Sequence, residues 1–187
     1  MPFPPRHRGL TFNFGCEAVL VLSRGVLFGR EDILINNIAW MLRRLPVFGV
    51  FGDGMYRLQP IYVDDLAELA VEQGRAGADC VIDAIGPETF TYRELVAQVR
   101  TAIGSSSIVL PMPSLVVLAV ARLLGVLVRD VVLTHDEIRE LTSSLLTSYE
   151  PARGEIRLSE WLPANAEKLG RHWSSELDRN YRGFAAS

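Results

Sequence analysis

The chain has 187 residues, 49% apolar and 22% charged, with 19 Lys and Arg against 22 Asp and Glu for a net charge of −3. Those values argue against disorder and leave no basic footprint for nucleic acid. One domain with a real core is the expectation at this length.

Met1 to Gly15 is punctuated by Pro, Arg and Gly and shows no periodicity. Glu17 to Ser23 is a short β-branched and leucine run, which reads as a buried strand. The stretch Phe28-Gly29-Arg30-Glu31-Asp32 breaks it. Asp32 can cap a helix running through Leu45, with Ile35, Ile38, Ala39 and Leu42 at helical spacing, and Pro46 stops it. Val47 to Gly54 predicts a strand and a hairpin-type turn ending Gly52-Asp53-Gly54.

Gln59 to Ala70 passes from a β-rich run straight into an amphipathic helix, with two acids at the junction. Pro60 and Tyr62 share one strand face by the period of two. Asp64 or Asp65 fits a helix N-cap, where a carboxylate accepts from unpaired N–H groups and opposes the positive dipole end. Leu66, Leu69 and Ala70 fall on one helical stripe, and the helix ends near Gly74.

Asp79 to Ile85 is a further apolar strand closed by Gly86-Pro87. Thr91 and Glu94 form a capping box for a helix through Ile103, stopped by Gly104. A brief strand, Ile108 to Leu110, precedes a strongly apolar helix from Pro113 to about Val128. Leu115 to Val128 is too short to span a bilayer and contains Arg122, so a core or partner-facing helix is expected, with membrane-surface contact as the alternative. Thr134 and Glu137 suggest a second capping box toward Leu146. Tyr149 to Gly154 reads as a loop. Ser159 starts a helix in which Pro163 is tolerated as a first-turn residue, and Gly170 ends it. His172 to Tyr181 is a last short helix.

Strands alternate with helices through Gly104 and the rest is mostly helical, so the fold class is α/β. Cys16 and Cys80 are far apart and lack CxxC spacing, so neither a disulfide framework nor a zinc site is expected, and a reducing cytoplasm is the default. The start of the chain lacks the pattern of a signal peptide. His135 and His172 have no partner acid or cysteine at ligand spacing and read as solvated. Trp40, Trp161 and Trp173 read as packing aromatics.

Four stretches, in order, resemble the NAD-dependent epimerase/dehydratase family, the extended and atypical short-chain dehydrogenases. They are Val26-Leu27-Phe28-Gly29-Arg30-Glu31-Asp32; Gln59 to Ala67; Ile85-Gly86-Pro87-Glu88 with Thr91 and Glu94-Leu95-Val96; and the tail from Leu158 to Leu177. The tail resembles the atypical branch, which includes relatives of the large NAD(P)-binding accessory subunit of respiratory complex I. The resemblance implies the C-terminal portion of a Rossmann-like NAD(P)-binding fold with a mostly helical end. Residues 1–25 would be a divergent segment and 26–187 the substrate-side part. It implies that Arg24, Gly25 and Val26 face the cofactor, and that Phe28, Gln59 and Tyr62 face a substrate pocket.

Departures from the family shape the functional expectation. The Gly-rich strand-turn-helix fingerprint is absent, and Gly49 to Gly54 opens no helix. The Tyr-x-x-x-Lys pair is impossible, because Ala164 stands four residues before Lys168, the only lysine. Leu58 and Gln59 stand where sugar-nucleotide epimerases place Arg-Asp, so no sugar substrate is named. The expectation is a truncated epimerase/dehydratase-like chain with no catalytic residue and weak or no NAD or NADP binding. Its partner would be a missing N-terminal half or a second copy. The alternatives are an accessory or assembly subunit of a membrane-associated respiratory-type complex, peripheral to the membrane, and a stand-alone interaction module.

Overall fold

Asp32 opens the first helix by accepting, through its carboxylate, from the backbone N–H groups of Leu34 at 3.3 Å and Ile35 at 2.5 Å. That cap sets the rotation of α1 (Ile33–Arg44), which turns Ile35, Ile38, Ala39 and Leu42 inward. The computed structural model describes residues 10–13, 19–23, 26–30, 32–76, 80–128 and 147–175.

Around α1 the order is β1 (Leu10–Asn13), β2 (Val19–Ser23), β3 (Val26–Phe28), α1, β4 (Val47–Phe51), β5 (Arg57–Leu58), β6 (Pro60–Tyr62) and α2 (Val63–Ala76). Then follow β7 (Cys80–Asp83), β8 (Phe90–Thr91), α3 (Tyr92–Ala102), β9 (Ile108–Met112), α4 (Ser114–Val128) and α5 (Leu158–Asn165). Three neighbouring pairs are parallel: β2 with β7, β3 with β6, and β4 with β9. Each needs a crossover, and a helix lies on each one, which is the Rossmann-like α/β alternation. The described strands form one three-stranded and three two-stranded groups rather than one continuous sheet.

Two apolar clusters hold these elements. The larger joins α1 to Phe28, to Phe48 and Val50 of β4, to Leu95, Val96 and Val99 of α3, and to Leu158 and Leu162 of α5. The smaller joins Ile61 of β6 to Leu66, Leu69 and Ala70 of α2 and to Ala84 after β7. Each large side chain buried this way contributes about 1.5–3 kcal/mol. On α4, Val117 and Leu118 pack against the larger cluster, while Leu115, Val116, Val120 and Leu123 stay exposed. No helix among the described residues is long and apolar enough to cross a membrane.

Several expectations are corrected. A strand, β1, stands inside the first fifteen residues and pairs antiparallel with β2, Leu10 opposite Leu22. The Gly52-Asp53-Gly54 turn is real but makes no hairpin, because β4 pairs with β9 and β5 with β8. α5 begins at Leu158, so Pro163 lies in its second turn, where it cannot donate to the Ser159 carbonyl four residues back. Gly170 ends a turn beyond that helix at φ +67°, where a Cβ would also meet the Ala39 and Trp40 backbone 2.5 Å away.

No helix begins at His172, because its backbone has other partners. Ser174 N–H donates to Asn37 Oδ1 at 2.9 Å, and the Ser174 and His172 carbonyls accept from Asn37 and Asn36. Residues after 175 and the Thr134 helix lie outside the described residues. Two of the tryptophans pack as expected, Trp40 and Trp173 with ring centres 5.2 Å apart.

Candidate functional site

The parallel pairing of β3 with β6 sets Val26 opposite Pro60, Leu27 opposite Ile61 and Phe28 opposite Tyr62. Pro60 fits there because the first residue of a strand can forgo its N–H bond. This register sets Phe28 beside Tyr62, thirty-four positions along the chain, with Val26 beside Pro60 at the other end of the strands and Gln59 just before β6. Arg24 and Gly25 lie outside the described residues.

Phe28 is fully buried and sits at the C-terminal end of β3, beside Tyr62 at the end of β6. Its ring centre lies 5.4 Å from that of Tyr62 and 5.6 Å from that of Trp161 on α5. Tyr62 and Trp161 are 6.4 Å apart and half-buried. These separations are ordinary for interacting aromatic rings. Trp161 packs as the sequence suggests, here against Phe28 and Tyr62. Gln59 is engaged as well: its Oε1 accepts from the Ser148 N–H at 2.7 Å.

The expected role of the acids after Tyr62 is corrected. α2 begins at Val63, so Asp64 and Asp65 lie inside its first turn, where they still oppose the helix dipole. Asp64 is exposed, and Asp65 is half-buried. Asp65 Oδ2 accepts from Glu155 N–H at 2.7 Å and Ile156 N–H at 2.9 Å. Nearby, the Ile85 carbonyl accepts from the N–H groups of Arg153 and Gly154 at 3.0 and 3.1 Å. Glu88 accepts from Ser159 N–H at 3.0 Å and Ser159 Oγ at 2.6 Å, serving the start of α5 from a distance, with Arg157 3.7 Å away.

Among the described residues no group of His, Cys, Asp or Glu is placed to hold a metal. Tyr56 and Tyr92 are stacked in an aromatic cluster with Phe51. Burial raises both phenols above their ordinary pKa, and for Tyr56 the neighbouring Tyr92 and Asp53 add to it, so both stay protonated at neutral pH. The glycine turn at 52–54 links β4 to β5 and precedes no helix, so it supplies no dipole end for a pyrophosphate.

No protein-family model matches the chain. No curated protein matches it either. Among solved structures, it is similar to a dTDP-4-dehydrorhamnose reductase from Bacillus anthracis in complex with NADP, at 13% identity and a TM-score of 0.41, over 50% of this chain and 33% of that one. It is similar to the GDP-mannoheptose C4 reductase of Campylobacter jejuni with NADP bound, at 15% identity and a TM-score of 0.48, over 79% and 48%. It is also similar to a dTDP-glucose 4,6-dehydratase from Streptomyces venezuelae with NAD bound, at 19% identity and a TM-score of 0.48, over 88% and 44%. The chain spans between a third and a half of the length of these solved proteins.

Proposed function

We propose that this chain forms the substrate-side wall of an NAD(P)-dependent epimerase/dehydratase-like domain, and that cofactor binding requires a Gly-rich half with no counterpart in these 187 residues. The observation that carries this reading is the β3–β6 register. It puts Val26, Phe28 and Tyr62 on two adjacent strands, with Gln59 just before the second, and these are residues that the family resemblance assigns to the cofactor and substrate side. Of these, Phe28 and Tyr62 stand at the C-terminal ends of two parallel strands, where open α/β folds take their ligands, while Val26 opens β3 and Gln59 precedes β6.

In this reading the chain's own residues bind and orient rather than transfer protons. Tyr62 and Trp161 offer a ring face and exclude water on one side. With neither a phosphate cradle nor the Tyr-x-x-x-Lys pair, the chain alone carries out no turnover.

The test is a titration with nicotinamide mononucleotide and, separately, ADP-ribose. It follows Trp161 fluorescence after Trp40 and Trp173 are replaced by Phe. Nicotinamide mononucleotide should bind with a dissociation constant of about 1 mM, ADP-ribose should not bind, and NADH should do no better than the mononucleotide. Saturable binding of ADP-ribose, or no response of Trp161 to the mononucleotide, would overturn the reading.

A further inference from the structure

Residues 148–157 have no helix or strand, yet they are anchored at several places around β6, β7 and α2. Ser148 N–H donates to Gln59 Oε1, just before β6. Arg153 and Gly154 donate to the Ile85 carbonyl, just after β7. Glu155 and Ile156 donate to Asp65, in the first turn of α2. The segment thus lies as a strap along β6, from Gln59 before that strand to Asp65 after it, and past Ile85 beyond β7. Gly154 alone is buried, against Ile61 and the Gly86 backbone; residues 149–153 and 155–157 are exposed. Leu158, almost wholly buried, fixes the far end to the core.

The geometry points to a strap that opens as a unit, hinged at Ser148 and Leu158 and latched by the Asp65 carboxylate. Local opening is cheapest where buried apolar contacts are few and the holding hydrogen bonds are solvent-exposed, and the strap meets both conditions. These hydrogen bonds come from backbone N–H groups to acceptors beside β6, after β7 and on α2, and at the far end the Arg157 side chain lies 3.7 Å from Glu88. Opening would therefore bare Gln59, the Ile85 carbonyl and Asp65 beside Tyr62 without disturbing the larger core. Asp65 is a positioning residue: it sets the strap and, through it, access to the aromatic edge. That regulatory sense rests on the substrate-side reading, whereas the latch itself does not.

Arg153 and Arg157 are exposed and lie within the strap, so trypsin reports its opening. The experiment compares limited tryptic digestion of the full chain with that of Asp65→Ala and Asp65→Asn. Fragments are assigned by mass spectrometry, and melting is followed by circular dichroism. Cleavage tracks the open population when closing outpaces cutting. Cuts at Arg153 and Arg157 should rise about tenfold in Asp65→Ala, because both strap N–H bonds to the carboxylate are lost. They should rise only about threefold in Asp65→Asn, which keeps an acceptor oxygen. Cuts at Arg44 and Arg100 should not change. Unchanged strap cleavage in Asp65→Ala would overturn the latch, and so would a parallel rise at Arg44 and Arg100, which would mean global unfolding. No cofactor enters this experiment, so its failure leaves the nicotinamide titration to stand or fall separately.

Discussion

At the start of α3, Glu94 turns back on its own helix: its Oε2 accepts from Thr91 N–H at 2.7 Å while Thr91 Oγ1 accepts from Glu94 N–H at 3.2 Å. At the start of α2, Asp65 reaches instead to Glu155 and Ile156, ninety and ninety-one positions along the chain. Both helices carry acids in the first turn, and the dipole favours both. One carboxylate closes a local ring and stabilises its own element. The other spends its hydrogen-bonding capacity on a remote segment and so couples α2 to the strap. A first-turn acid in a sequence therefore does not identify its partner; only the fold decides whether the nearest N–H groups or distant ones reach it.

The largest expected effect lies at the seam beneath α2. Gly86 is pressed against β6 so closely that a Cβ would overlap the Pro60 carbonyl, and Pro60 cannot move without breaking its register with Val26. Gly86→Ala should destabilise the molecule by about 3 kcal/mol, since the obstruction is backbone and not a flexible side chain. Urea unfolding measures it. A loss below about 0.5 kcal/mol, within the range of ordinary surface changes, would show that the seam can relax and that the strap rests on a softer support.

Thr91→Ala sharpens the contrast from the other side. It removes one half of a reciprocal cap whose partners are all within three residues. The expected cost is about 1 kcal/mol of global stability. Tryptic cutting at Arg153 and Arg157 should rise no more than cutting elsewhere, because nothing in this cap touches the strap. Selective exposure of the strap in Thr91→Ala would mean that the two helix starts are coupled after all.

What could be read from the sequence follows the same division. Asp32, Pro46, the Thr91–Glu94 box and Gly104 act within a few residues, and each stands where its local chemistry predicts. The α/β class was equally legible from the alternation of apolar runs. Pairing was not: a turn with glycines at positive φ suits a hairpin, but β9 offers β4 a parallel partner from more than fifty residues away. The tail at His172 was misread because two asparagines on α1 capture its backbone. At the candidate site, Val26, Phe28, Gln59 and Tyr62 were named through family resemblance, and of these the register pairs Phe28 with Tyr62. Trp161 could not be placed beside them, since only the packing of α5 brings it there.

The smallest effect is a pH dependence, and its sign separates the two helix starts. The backbone N–H of Thr91, then its hydroxyl, hold the Glu94 carboxyl below the usual carboxylate range; Arg57 adds to this, and burial opposes it. A group whose folded pKa is depressed contributes stability above its unfolded pKa, which is lost as pH falls through the folded one. The stability of the wild type relative to Glu94→Gln should therefore be constant near neutrality and decline from about pH 5 toward about pH 3. Glu94 is exposed, so solvent and salt screen the interaction and the decline is modest. Urea midpoints for both chains across that range give the difference directly. A flat difference would mean that the Thr91 hydroxyl alone closes the box and that the charge on Glu94 adds nothing. In that case the contrast with Asp65 would lie in the reach of the side chain and not in its ionisation.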